Sequence, residues 1–205
     1  MPQHPRWLPR SGQVTWIKAG VFVLCLVPFA RLVYGGFANS LGANPIETIT
    51  RSTGWWALFF LMVTLGVAPL RKFSSANWLL RLRRMLGLFA FFYACAHFIT
   101  FIWFDHWFDI GEIIKDVVKR PFVTIGFAAF LLLWPLALTS TNAMVRRLGR
   151  NWQRLHRLIY VVAILGVVHY WWLVKRDLTE PMIFAAVLAL LLGVRIYWRR
   201  REGII

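Results

Sequence analysis

Six apolar stretches, near residues 15–34, 54–70, 85–104, 122–139, 155–173 and 181–198, divide this 205-residue chain and leave only short connections. Each is about 17–20 residues long, and a helix needs about 20 predominantly apolar residues to cross the hydrocarbon core of a bilayer. Lipid offers backbone amides and carbonyls no partner, so a spanning segment must satisfy them internally, as a helix does. The pattern predicts an all-α membrane protein, a six-transmembrane-helix bundle forming a single domain over residues 1–205. Six spans leave no room for a second folded domain. Composition excludes a soluble enzyme: 59% of residues are hydrophobic and 16% charged, against about 45–50% and about 25% in soluble domains. The first stretch is not read as a cleavable leader, because it is long, holds Arg31, and no small-x-small site follows it. No internal repeat is visible.

The charges orient the bundle. A net charge of +16 in a soluble protein would point to nucleic acid. Here the cations cluster between apolar runs, as in the loops of membrane proteins, so nucleic acid is not expected as a partner. One set of flanks holds Arg6, Arg10, Lys18, Arg71, Lys72, Arg81, Arg83, Arg84, Arg146, Arg147, Arg150, Arg154, Arg157, Arg195, Arg199, Arg200 and Arg201. The other holds Arg51, Lys115, Lys119, Arg120, Lys175 and Arg176. The positive-inside rule then places both termini and the 2–3 and 4–5 connections in the cytoplasm. The acids fall the other way: Glu47, Asp105, Asp109, Glu112, Asp116, Asp177 and Glu180 lie outside, and only Glu202 inside.

The longest outer connection runs from Asp105 to Pro121. Ile110, Ile113, Ile114, Val117 and Val118 recur there at helical spacing, with Glu112, Lys115, Asp116 and Lys119 between them. This predicts a short amphipathic helix at the outer membrane surface, read as a lid on the bundle, with a docking surface as the second reading. The two cysteines, Cys25 and Cys95, sit inside apolar runs. With no CxxC and no CxxCH, there is neither a thiolate metal pair nor covalent haem attachment.

Five histidines remain. His4 lies in the N-terminal tail, and His106 is expected to be solvated in the outer connection. His97 and His169 lie inside the third and fifth stretches, and intramembrane ionisable residues usually face the bundle interior. His97 stands 8 residues before Asp105 and His169 stands 6 before Lys175, roughly 9–12 Å below those charges at 1.5 Å per residue. Two imidazoles at matching depth on two helices can hold one haem iron between them. Ala90, Ala94 and Gly166 supply small neighbours for a flat macrocycle, with Tyr93, Phe101 and Trp172 at its edges. The simpler alternative is a pair of interhelical hydrogen bonds, with the small residues serving helix packing. His156, 13 residues before His169, is about 19.5 Å away on an ideal helix. That is near the separation of two stacked haems, but its azimuth differs by some 140°. The third stretch offers only Arg83 and Arg84 at the matching depth.

The stretch NWQRLHRLIY…HYWW (Asn151 to Trp172) resembles the fifth helix of the ferric-reductase-like transmembrane family, which includes the NADPH oxidases. TGWWAL (53–58), PLR (69–71), RRMLGLFAFFYACAH (83–97), KRPFVTIG (119–126) and PLALTSTNAMVRRLG (135–149) extend the resemblance in order over about two thirds of the chain. Within the family the match is nearest to haem-binding membrane subunits of bacterial periplasmic methionine sulfoxide reductase systems. The resemblance implies a multi-pass protein of the bacterial inner membrane that binds heme b, associates with FMN, and moves electrons outward. It implies, as electron donor, the quinone pool or a cytosolic flavin reductase. It implies, as acceptor, the periplasmic molybdopterin subunit MsrP, which repairs oxidised protein methionines. Carried onto this sequence, His97 and His169 match the outer haem pair and His156 the inner ligand of the fifth helix. The inner histidine of the third helix would fall near Arg83 and is missing.

A relay buried in the membrane gives the inner cations a use. Arg83, Arg84, Arg146, Arg147 and Arg150 are candidates to hold the FMN phosphate or another anionic group, although positive-inside topology alone accounts for them. A proton-coupled transporter using His97 and His169 as relays is the rival. It would be expected to carry acids within its helices, and none is found there. No G-x-G-x-x-G opens a helix after a strand, so the expected role is an electron-transfer subunit whose catalytic partner is a separate protein.

Overall fold

The computed structural model describes residues 11–201 and 203, so His4, Arg6, Arg10 and Glu202 lie outside the described residues. The described chain is helical: α1 (Ser11–Phe37), α2 (Pro45–Ser74), a 3₁₀ turn (Asn77–Leu79) and α3 (Leu80–Thr100). A π-helical turn (Phe101–Asp105) follows, then α4 (Ile110–Lys119) and α5 (Pro121–Leu138). The last are α6 (Asn142–Leu148), α7 (Arg150–His156), α8 (Leu158–Leu173) and α9 (Thr179–Arg201). Among the described residues, six spans are long and apolar enough to cross a membrane. They are Gly12–Phe37, Pro45–Ser74, Asn77–Asp105, Pro121–Leu138, Arg150–Leu173 and Thr179–Arg201, and each covers its expected stretch to within one residue. The chain is a multi-pass, all-α membrane protein. Its outward side chains fit lipid rather than water: Trp16, Leu24 and Leu190 are among many large apolar residues on the outside, far more than a soluble monomer exposes.

Local chemistry fixes the helix ends. Asn44 caps α2 by accepting from the Glu47 amide at 3.2 Å, and Pro45 starts the helix, where its missing N–H costs nothing. Asp109 accepts from the Glu112 amide at 3.1 Å, an N-cap that opens α4. Pro121 forces the preceding Arg120 into an extended conformation, which ends α4 and starts α5.

The core lies between two helical hairpins. In one, α2 packs on α3; in the other, α5 packs on α8; α9 covers α2 and α8, and α1 leans on α2 and α3. Leu58, Leu61 and Leu65 of α2 meet Phe89, Ala90 and Tyr93 of α3 and Val162, Ala163 and Val167 of α8. The pairing puts the start of α2, the end of α3, the start of α5 and the end of α8 at one end of the bundle. There His97 reaches Thr50, and His169 reaches Phe122. The opposite end gathers the arginines, with Arg84 bonded to Asn142 and Lys72 over the ring of Trp198. Phe22 packs on Phe89 and Phe29 on Phe92, so α1 also starts at the basic end. The first and last described helices therefore begin and finish on the same side.

Tyr93 has a role that its sequence position does not suggest. Its side chain is fully buried. Its hydroxyl donates to the Cys25 carbonyl at 2.8 Å and accepts from the Phe29 amide at 3.1 Å. These groups flank Pro28, which interrupts the hydrogen-bond ladder of α1 because proline has no N–H. Tyr93 thus anchors the outermost helix. Tyr93→Phe is expected to cost about 0.6–1.7 kcal/mol, the range of interhelical hydrogen bonds in a membrane protein. Thermal unfolding in detergent, compared with the parent protein, measures it.

Candidate functional site

One cavity dominates the bundle. It measures about 1600 Å³, larger than the roughly 300–1,000 Å³ usual for small-molecule pockets. It runs from the core toward the end opposite the arginines. Ala90, Ala94, Phe98 and Phe101 line one wall, and Gly126, Ala129, Gly166 and Leu58 line others. His97 and His169 both face into it.

The two imidazoles are held alike. His97 Nδ1 lies 2.9 Å from the Thr50 carbonyl, and His169 Nδ1 lies 2.7 Å from the Phe122 carbonyl. A carbonyl accepts, so each Nδ1 must carry the proton, and Nε2 is left as the nitrogen with a free lone pair. The ring centres are 6.3 Å apart and the planes cross at 72°. A metal–imidazole bond is about 2 Å, and a ring nitrogen lies roughly 1.1 Å from its ring centre, so two imidazoles sharing one metal in line have centres about 6 Å apart. The observed spacing matches.

The donor set specifies the kind of metal centre. Among the described residues, no cluster of three or more His, Cys, Asp or Glu side chains can cage a bare ion. Two neutral imidazoles supply two donors, so a metal held there has to bring the rest of its coordination with it, as haem does. Thr50 adds a second indication. Its hydroxyl is buried in the cavity wall with no partner, where a ligand's polar group or a water is expected.

The symmetry extends to the sequence. In both hairpins the order is a carbonyl residue, a glycine four positions later, and a histidine 47 positions after the carbonyl: Thr50–Gly54–His97 and Phe122–Gly126–His169. The two hairpins thus share one local construction. Membrane helices accept any apolar residue at most positions, so only the few positions that touch the site retain the pattern. Gly54 and Gly126 were legible as lone glycines in apolar runs, a mark of close backbone approach.

Other expected neighbours divide. Ala90, Ala94, Gly166 and Phe101 line the cavity as expected. Tyr93 does not, because its hydroxyl is committed to α1. Trp172 does not either; it is 54% exposed and borders a separate outward groove with Trp171 and Lys175. His156 lies toward the basic end, stacked on Trp152 with centroids 3.9 Å apart, its Nε2 3.0 Å from the Thr139 hydroxyl. It stands at the junction of α7 and α8, where Arg157 and Tyr160 make i→i−3 bonds. The ideal-helix azimuth between His156 and His169 therefore does not apply. Of the five candidate arginines, Arg84 is tied to Asn142, and Arg83 is near enough to act electrostatically on His156.

His106 corrects an expectation. It is not solvated: its side chain is 12% exposed, 3.2 Å from Asp116 and edge-on to Phe101. The π-helical turn, followed by positive φ at Trp107 and Phe108, folds the chain back and tucks the ring under α4. Asp116 also pairs with Arg120 at 3.3 Å, and Asp116 and Val117 line the cavity mouth. The amphipathic helix is thus fastened over one edge of the opening.

Residues 53–167 match the family model described as ferric reductase like transmembrane component. The chain is similar to the protein-methionine-sulfoxide reductase heme-binding subunit MsrQ of Herminiimonas arsenicoxydans, at 60% identity over 193 residues, 93% of this chain and 88% of that protein. It is 55% identical to MsrQ of Ralstonia nicotianae, over 95% of this chain and 90% of that protein. The similarity to MsrQ of Bordetella pertussis is 49% over 98% of each chain. No solved structure matches.

Proposed function

Because this chain belongs to the ferric-reductase-like transmembrane family, we propose that it is the haem-binding, electron-carrying membrane subunit of a methionine sulfoxide reductase system. The observation that carries this reading is the His97–His169 pair: two rings 6.3 Å apart, each fixed through Nδ1 to a backbone carbonyl, in a largely apolar cavity. The MsrQ relatives support it, being named as heme-binding subunits of such reductases. His97 and His169 would both be taken up in holding a haem between them, and a haem so held would supply one-electron transfer rather than a site for oxygen or substrate.

This chain's own residues do the remaining work. The Thr50 and Phe122 carbonyls fix the tautomer and orientation of the two histidines and raise their basicity as ligands. Ala90, Ala94, Ala129 and Gly166 leave room for a flat ring, and Leu58, Phe98 and Phe101 keep water from it. Arg51, Arg120, Lys175 and Arg176 line the cavity together with Asp105, Asp116, Asp177 and Glu180.

The direction follows from charge. The arginine-rich end is placed in the cytoplasm by the positive-inside rule, so the cavity mouth opens to the periplasm. Electrons enter from the quinone pool or a cytosolic flavin reductase and leave to the periplasmic molybdopterin subunit MsrP, which restores oxidised methionines in proteins. The same reading has FMN associate at the basic end, with Arg83, Arg84, Arg146, Arg147 and Arg150 as candidates for its phosphate. His156 is the inner-ligand candidate there, and its Nε2 must leave the Thr139 hydroxyl before it can bind iron.

The test is the colour of the purified protein. Protein produced with ample haem is expected to show a Soret band that shifts on dithionite and a low-spin bis-histidine spectrum. A colourless preparation would overturn the reading.

A further inference from the structure

The structure points to Gly54 and Gly126 as positioning residues that set how His97 and His169 present their free nitrogens to the cavity. We infer that each glycine is there because a methyl group in its place would occupy the space of the imidazole ring. This inference rests on the proposed haem site.

The two histidine rings lie close against the two glycines. A Cβ built at Gly126 would stand 2.7 Å from His169 Nδ1, 2.8 Å from Cε1 and 3.1 Å from Cγ. At Gly54 the corresponding distances to His97 are 3.1 Å to both Nδ1 and Cε1, and 3.6 Å to Cγ. Ordinary carbon contacts are about 3.5–4.0 Å, so both positions are occluded, Gly126 the more severely. The missing methyl also explains how a helix carbonyl can take a second donor. The Thr50 and Phe122 carbonyls each stand four residues before a glycine, the position whose amide they accept in an α-helix. With no side chain on that glycine, the carbonyl is reachable from the side, and the imidazole Nδ1–H comes in there. One glycine thus serves two purposes: it admits the ring and exposes the acceptor.

Both rings border the cavity, which offers space for a displaced ring. Their centres are 6.3 Å apart, so a shift of a few tenths of an ångström alters the bond to anything held between them. It also lengthens the Nδ1 hydrogen bond, which tunes ligand basicity. The same construction on both hairpins, at the same spacing, argues against accident. Gly87 differs, having no imidazole against it. At Gly87 on α3 a Cβ would meet only Thr64 Cγ2 at an ordinary 3.6 Å, so Gly87→Ala serves as a control on the helix that carries His97.

The experiment compares Gly54→Ala, Gly126→Ala and Gly87→Ala with the parent, each purified in detergent, with haem content, absorbance and the low-spin ferric electron paramagnetic resonance (EPR) spectrum recorded. Haem retention should fall about 10–100-fold in Gly126→Ala, the usual effect of losing an outer-shell partner of a metal ligand. Gly54→Ala, less crowded, should keep haem but shift the EPR g values. Gly87→Ala should match the parent in content and spectrum. If Gly126→Ala does not accumulate, Gly54→Ala alone decides the matter. Parent-like EPR spectra at full haem content in both site variants would overturn the inference while leaving the haem assignment intact. A g-value shift in Gly87→Ala as large as that in Gly54→Ala would also overturn it. Haem absent from the parent would overturn the function on which it rests.

Discussion

His97→Ala or His169→Ala should each remove nearly all low-spin haem from the purified protein. Three imidazoles line the cavity, and of these His97 and His169 face each other, each with a single free nitrogen, while His106 is held at the mouth by Asp116. No other described side chain is placed to substitute: Tyr93 is committed to α1, His106 to Asp116, and His156 lies toward the far end of the bundle. Losing an outer-shell partner of a metal ligand already costs about 10–100-fold in affinity, so losing the ligand itself should exceed about 100-fold. Any haem that remains should be five-coordinate, with a different ferric spectrum. The variants are compared at equal amounts of inserted protein, because a missing ring leaves a void in the core. His156→Ala is the contrast. It should keep the bis-histidine spectrum and slow reduction from the basic side. A parent-like spectrum in both His97→Ala and His169→Ala would refute the assignment, and complete haem loss in His156→Ala would make that residue a ligand of the main haem.

The second large effect concerns the source of electrons. Mixed anaerobically with NADPH alone, the purified 205-residue polypeptide should stay oxidised. NADPH with a flavin reductase and FMN, or a quinol, should reduce it. The reason is architectural. Binding a dinucleotide takes a glycine-rich turn between a strand and a helix, and among the described residues there is no strand. The cavity that the two histidines face is lined mainly by apolar side chains and glycines. The difference between the two mixtures should be nearly all-or-none in Soret absorbance. Rapid reduction by NADPH alone, with no second polypeptide present, would show that the chain takes hydride directly and that its donor has been misassigned.

Much of this protein is written along the chain. Hydropathy located the six spans, because a segment in lipid has to be apolar for about 20 residues. The clustering of cations at one set of helix ends predicted which ends meet, and Arg84 beside Asn142 and Lys72 over Trp198 agree. Depth was legible too. Counting residues from flanking charges put His97 and His169 at one level, and their rings lie 6.3 Å apart. The amphipathic period of residues 110–119 and the Asp109–Glu112 cap were enough to define α4. Azimuth and cross-helix partners were not. Tyr93 was read as a haem edge but points to α1, because Pro28 leaves that helix with polar groups to satisfy. His106 was read as solvated but is folded inward by a π-helical turn that hydropathy does not register. The i→i−3 bonds at Arg157 break the ideal-helix geometry between His156 and His169. The carbonyls of Thr50 and Phe122 belong to residues whose side chains carry no hint of the role, since any residue supplies a carbonyl. The sequence by itself determined which segments lie in the membrane, which ends gather and how deep each histidine sits, because hydrophobicity and helical rise are properties along one chain. Only the tertiary structure decided which way each ring faces and what holds it, because those depend on the backbone of a helix 47 residues away.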